Sequence, residues 1–220
     1  MPRNFKELKP AYGFDDVAIA PGDITINPEM ADISTNFDGI KLDIPFIASA
    51  MDAVVDPKFA IEMTKAGGLG VMNMDGLHTR YEDATVAYEE IASAPREEAT
   101  AIMQKIYSAP QKPELIAKKV EEVKKGGGTA AVSFVPQNAK RMAPLAVEAG
   151  ADMIVVQGTV VTARHSSKSL KGLVFADLIK DLNVPVLVGN TVSYEVTKEL
   201  MQQGIAGVMV GVGPGSVCTS

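Results

Sequence analysis

At 220 residues, 46% hydrophobic and 22% charged, the chain has the composition of an ordinary globular domain with a substantial core, not of a disordered segment. A net charge of −6 argues against general nucleic-acid affinity, which needs clustered Lys and Arg. No apolar run approaches the roughly 18 residues of a membrane span, the first residues lack a signal-peptide core, and a single cysteine, Cys218, fits a reducing, cytoplasmic location.

The first 44 residues lack a strand–helix rhythm and predict an N-terminal cap with short strands. From Pro45 onward, short and nearly continuous apolar runs predict strands at residues 45–51, 69–74, 130–135, 153–157, 184–190 and 207–213. Continuous rather than alternating apolarity is the mark of parallel strands buried on both faces. Helical patterns occupy residues 57–65, 138–148, 173–181 and 194–203, and several stop at a glycine suited to a left-handed cap, namely Gly67, Gly150 and Gly204. The interval between the second and third strands is long and carries three more helical stretches, at residues 81–91, 96–106 and 114–125. It reads as helical elaboration of one connection.

Six such strands fit either a complete doubly wound sheet or a (β/α)8 barrel short of two strands. A dinucleotide-binding sheet needs G-x-G-x-x-G after its first strand, whereas here that strand ends Ser49-Ala50-Met51-Asp52. The expected architecture is therefore α/β, the N-terminal six-strand portion of a (β/α)8 TIM barrel, forming a single domain over residues 1–220. The edge strands of such a portion would expose inward apolar residues such as Ile47 and Val208, so residues 1–220 alone are expected to aggregate or fold poorly.

The glycine-rich segment follows the last strand: Gly211-Val212-Gly213-Pro214-Gly215-Ser216-Val217-Cys218-Thr219-Ser220. Barrel active sites lie at the C-terminal ends of the strands, which puts Cys218 where catalytic residues belong. Turn N–H groups or a helix start nearby would raise the thiolate fraction of a thiol whose free pKa is about 8.5. On glycine spacing alone, a tight turn around an inert thiol reads equally well.

The segment from Gly211 resembles the cysteine loop of the IMP dehydrogenase / GMP reductase family, G-x-G-P-G-S-x-C-T-T. Three further segments agree in order: Gly13-Phe14-Asp15-Asp16-Val17 with Ala20-Pro21, Ser49-Ala50-Met51-Asp52-Ala53-Val54, and Val188-Gly189-Asn190-Thr191-Val192. The resemblance implies that Cys218 is the nucleophile at purine C2, with the hydroxyl of Ser220 placing a proton or water. It implies substrate contacts from Ser49, Met51, Asn190, Gly215 and Ser216, and cofactor (NAD or NADP) contacts from Gly211, Gln157 and Thr159. A K⁺ ion would be held by the backbone carbonyls of Gly213, Gly215 and Cys218. The implied partners are IMP, XMP or GMP, with a homotetramer or octamer as the assembly, and the family's last two βα units and flap lie beyond Ser220.

Departures narrow the resemblance. Gln157-Gly158-Thr159 stands where the family has an aspartate and serines, and Met209 stands where it has arginine. Asn73-Met74-Asp75 replaces a His/Lys-containing stretch, and helices replace the regulatory CBS domains. The pattern resembles the IMP dehydrogenase-related subgroup without those domains. The implied reaction is IMP oxidation to XMP; the alternatives are GMP reduction to IMP, or nucleotide binding without turnover. Asp52 reads as a loop anchor, and His78 and His165 read as surface residues without metal-pair spacing.

Overall fold

The computed structural model describes Pro10, residues 12–164 and residues 173–212. Two 3-10 turns, Phe14–Asp16 and Pro28–Met30, lead into an antiparallel hairpin of β1 (Thr35–Phe37) and β2 (Ile40–Leu42). Its turn residues Asp38 and Gly39 have φ of 48° and 98°, the left-handed pair that matches the twist of a two-residue hairpin. Asn36 Oδ1 accepts the Gly39 N–H at 2.8 Å and closes the turn. This is the expected cap with short strands.

Beyond the hairpin the chain alternates. β3 (Ile47–Ala48), α1 (Pro57–Lys65) and β4 (Leu69–Asn73) are followed by the elaboration, α2 (Thr85–Ser93), α3 (Ala99–Tyr107) and α4 (Pro113–Lys125). Then come β5 (Ala131–Phe134), α5 (Pro136–Glu148), β6 (Met153–Gln157), α6 (Phe175–Leu182), β7 (Val186–Thr191), α7 (Tyr194–Met201) and β8 (Gly207–Val210). The expected glycine ends of the helices form. Asp56 accepts the Phe59 N–H at 2.6 Å to cap α1, and Gly67, Gly150 and Gly204 all take positive φ where helices turn into strands.

The six strands are parallel and lie in the order β3-β4-β5-β6-β7-β8. Every connection therefore advances in one direction, which excludes a doubly wound sheet, where strand order reverses at a switch point. The helices share one face. Met72, Val132, Ile154, Val156 and Val188 pack there with Ile116, Met142, Leu178 and Leu200. The other face buries Leu69, Val71, Ala131, Met153, Val155 and Leu187 against Leu42, Phe37 and Ile40 of the hairpin. The result is a curled, singly wound half of a (β/α)8 barrel, whose inner face is plugged from the N-terminal side.

Two expectations change. Val208 pairs in register with Val188, so it faces the helices; the inward residue of β8 is Met209, which pairs with Gly189. Ile47 does pair with Leu69 on the inner side and is 38% exposed, with Phe46 and Val210 also exposed at the two sheet edges. β3 is only two residues long because Met51 N–H turns back to Ser49 O at 2.8 Å. Among the described residues, no helix is long and apolar enough to cross a membrane.

Gly70 sets how closely α1 approaches the sheet, since a Cβ there would stand 2.9 Å from Ala60 Cα. Gly70→Val should lower the unfolding free energy by about 1–3 kcal/mol in urea titrations. Gly22→Ala, with no atom within 4 Å of its added Cβ, should leave it unchanged.

Candidate active site

Two groups of residues stand at the C-terminal ends of the strands. The first joins β6, β7 and β8. Gln157 pairs with Gly189, which pairs with Met209, so the three share the inner side. A Cβ on Gly189 would lie 2.5 Å from Met209 Cβ, so the glycine makes room for the methionine. The strand ends are laced by Gly158 N–H to Gly189 O, Asn190 N–H to Gly158 O and Val161 N–H to Asn190 O, at 2.8–2.9 Å.

Asn190 Nδ2 donates to Gly211 O at 2.8 Å, and Gly211 N–H donates to Thr191 O at 2.8 Å. Asn190 thus ties the end of β7 to the first residue of the glycine-rich segment. The Gly211 N–H is committed, while its carbonyl keeps a second lone pair. It can accept a hydrogen bond from an amide such as a carboxamide but cannot donate one. Gln157 is half-buried and Thr159 exposed, which leaves both able to meet a ligand.

The second group surrounds Asp52, at the ends of β3 and β4. Its carboxylate accepts from Asn73 Nδ2 at 3.1 Å, from Leu77 N–H at 3.0 Å and from the Tyr107 hydroxyl at 2.6 Å. The Tyr88 hydroxyl donates to the Asp52 carbonyl. Asp52 is a loop anchor, as the sequence implies. Ser49 and Met51, just before it, are exposed; Met51 is 55% exposed and is no part of the core. Asp75 is similarly engaged, accepting from Val135 N–H at 2.6 Å, Gln111 Nε2 at 3.0 Å and Asn138 Nδ2. Asn73 and Asp75, in the stretch that departs from the family pattern, are therefore both used in holding strand ends.

His78 is corrected from a surface residue to a buried one, 3% exposed, because the turn Leu77–Thr79 is packed beneath α2 and α4. Its Nε2 lies 3.2 Å from the Tyr88 oxygen. Since the Tyr88 proton goes to Asp52, the imidazole is the donor in this contact, which assigns the neutral Nε2–H tautomer. Burial pushes the His78 pKa down, against the opposing pull of Asp52 and Asp56 and with a smaller push from Lys119. Burial beside Asp52 and Asp56 pushes the Tyr88 phenol up to about 12. The sequence offered no spacing that would have revealed this cluster.

The structure brings Gln157, Asn190 and Gly211 together, and leaves Ser49 and Met51 at the opposite sheet edge. Gly213, Gly215, Ser216, Cys218, Ser220 and His165 lie outside the described residues. A cavity of about 660 Å³ borders the Asp52 side, lined by Val54, Phe59, Tyr88, Ile91 and Ala92 among others, and among the described residues it touches none of the predicted substrate or cofactor contacts. Among the described residues, no cluster of His, Cys, Asp and Glu could hold a metal ion.

Comparison with known proteins gives a consistent result. Residues 11–220 match the model of the IMP dehydrogenase / GMP reductase domain. An uncharacterized oxidoreductase of Mycolicibacterium smegmatis is 36% identical over 95% of this chain and 57% of its own length. The inosine-5'-monophosphate dehydrogenase of Borreliella burgdorferi is 30% identical over 98% of this chain and 56% of its own. The crystal structure of an IMP dehydrogenase/GMP reductase-like protein from Corynebacterium glutamicum superposes with a TM-score of 0.87 at 33% identity, covering 94% of this chain and 56% of that one. The chain spans a little over half the length of these relatives.

The depressed His78 pKa has a measurable consequence. The folded protein resists a proton that the unfolded chain accepts near pH 6.5, so this contribution to stability is complete above that pH and is lost as pH falls toward the folded-state value. Unfolding free energy from urea titrations should therefore decline between about pH 7.5 and 5.5, and His78→Gln should flatten that part of the curve.

Proposed function

The chain belongs to the IMP dehydrogenase / GMP reductase family, and from that membership we propose that it is a purine-nucleotide oxidoreductase that converts IMP to XMP through a covalent bond between Cys218 and purine C2. The observation that carries this reading is the extent of the family match, which runs through residue 220 and so across the cysteine loop. The tie from Asn190 to Gly211 supports it, because it holds the entry of that loop against the end of β7.

In this mechanism the Cys218 thiolate adds to C2 of IMP, forming a C–S bond. A nicotinamide cofactor, when bound, would supply the acceptor for the hydride that leaves C2. Water then adds at C2, the C–S bond breaks, and XMP and the free thiol result. Splitting the substitution this way replaces one difficult step with two easier ones. Ser220 places the water or its proton. Ser49, Met51, Asn190, Gly215 and Ser216 bind the nucleotide, while Gln157, Thr159 and the free lone pair of Gly211 meet the cofactor. K⁺ would be held by the carbonyls of Gly213, Gly215 and Cys218.

GMP reduction is the second reading, since it uses the same loop. The engagement of Asn73 and Asp75 in structural hydrogen bonds favours the dehydrogenase, because the reductase pattern places a lysine in that stretch.

Two measurements on the protein as the cell makes it test this. Cys218→Ala should abolish turnover while calorimetry still detects IMP binding, and Cys218→Ser should be equally inactive because a hydroxyl is too weakly ionised to replace the thiolate. Turnover in either variant would remove Cys218 from the mechanism. Separately, NADH formation from IMP and NAD⁺ should exceed ammonia release from GMP and NADPH. The reverse ranking would assign the reductase, and nucleotide binding without either activity would leave only a binding role.

A further inference from the structure

In the Ser49–Met51 loop only Ala50 packs against the inner core, while Ser49 and Met51 are exposed, yet a residue that binds substrate must hold one geometry. Asp52 supplies the constraint. Its carboxylate sits in a cradle shaped for it: a Cβ on Gly76 would stand 1.8 Å from Asp52 Oδ1. Two of its attachments, Asn73 Nδ2 and Leu77 N–H, come from β4 and the turn after it. The other two come from the helical elaboration, Tyr107 at the end of α3 to the carboxylate and Tyr88 of α2 to the carbonyl. The turn behind Asp52 continues the constraint, with Val54 N–H and Val55 N–H both directed to Met51 O at 3.0 and 3.1 Å.

We propose that Tyr107 and Tyr88 are positioning residues for the substrate, acting through Asp52 to fix the Ser49–Met51 loop, so that the elaboration between β4 and β5 is a working part of the nucleotide site rather than a decoration. The proposal rests on the functional reading above. Tyr107 is the sharper probe. Its hydroxyl meets an anionic acceptor, and its phenol pKa is raised, by burial first and then by the Asp52 carboxylate, so that it remains a donor at any physiological pH. Without it the carboxylate loses its tie to α3 and is held only from the β4 side, which loosens the loop that precedes it.

The experiment compares Tyr107→Phe and Tyr88→Phe with Tyr81→Phe in the protein as the cell makes it. Tyr81 belongs to the same elaboration, but its hydroxyl donates to Ile106 O at 2.9 Å and touches nothing of Asp52. Tyr107→Phe should raise KM for IMP, and its Kd by calorimetry, about fivefold or more, which corresponds to about 1 kcal/mol. kcat should stay within about twofold, because ground-state binding of the nucleotide is what the loop contributes. Tyr88→Phe should shift KM in the same direction, and Tyr81→Phe should change neither constant. Wild-type binding of IMP with unchanged binding by Tyr107→Phe would overturn this proposal alone. An equal defect in Tyr81→Phe would overturn it too, since it would mean general loosening of the elaboration. Wild-type protein that binds no IMP would overturn the functional reading and this proposal together.

Discussion

A parallel sheet whose strands add in sequence, each beside the last, has all its crossover helices on one face. Most of this molecule follows from that constraint. With helices on one side only, the sheet curls, and the inner face must be filled without helices. The β1–β2 hairpin does this from the N-terminal side, packing Leu42, Phe37 and Ile40 against Leu69, Met153 and Leu187. Both polar groups of the site lie at the C-terminal ends of the strands.

Those two groups are built by different physics. At β6–β8 the backbone itself supplies the order, since Gly158, Gly189 and Asn190 exchange main-chain hydrogen bonds and Asn190 adds one side-chain link to Gly211. Glycine at 189 matters because the inward Met209 fills the space its side chain would take. At β3–β4 the order comes from side chains. β3 has only two paired residues and a single neighbouring strand, so its following loop depends on Asp52. A half-buried carboxylate is costly unless it is hydrogen-bonded, and here each bond also joins two parts of the chain.

The elaboration shows the same economy. Its apolar core is small, Leu77, Ala84, Ala87 and Ile106 with a few flanking residues. Polar reach compensates: Arg80 bridges Ala109 O and Asp75 O, Gln111 bridges Met74 O and Asp75, and Tyr81 meets Ile106 O. These bonds tie the elaboration to the strand end it touches. A segment that replaces a regulatory domain in the family pattern is thereby coupled directly to the loop that carries Ser49 and Met51.

Local chemistry made much of this legible from the sequence. Continuous apolar runs identified the parallel strands, with β6 matching to the residue, because a strand buried on both faces leaves no polar gaps. The helical pattern at residues 57–65 matches α1 to the residue, and glycines marked helix ends, because helix ends are decided by the few atoms around them. The family motifs supplied the candidate residues of the site. Tertiary structure alone decided the rest. Which side of β8 faces inward depends on its register with β7, so Val208 went to the helices and Met209 to the interior. The length of β3 depends on the turn by which Met51 N–H reaches back to Ser49 O. His78, Tyr88, Tyr107 and Asp52 are separated by up to 55 residues, and no spacing rule links them. They meet because one connection folds back over the strand ends, and only there does a polar side chain find the partner that makes its burial possible.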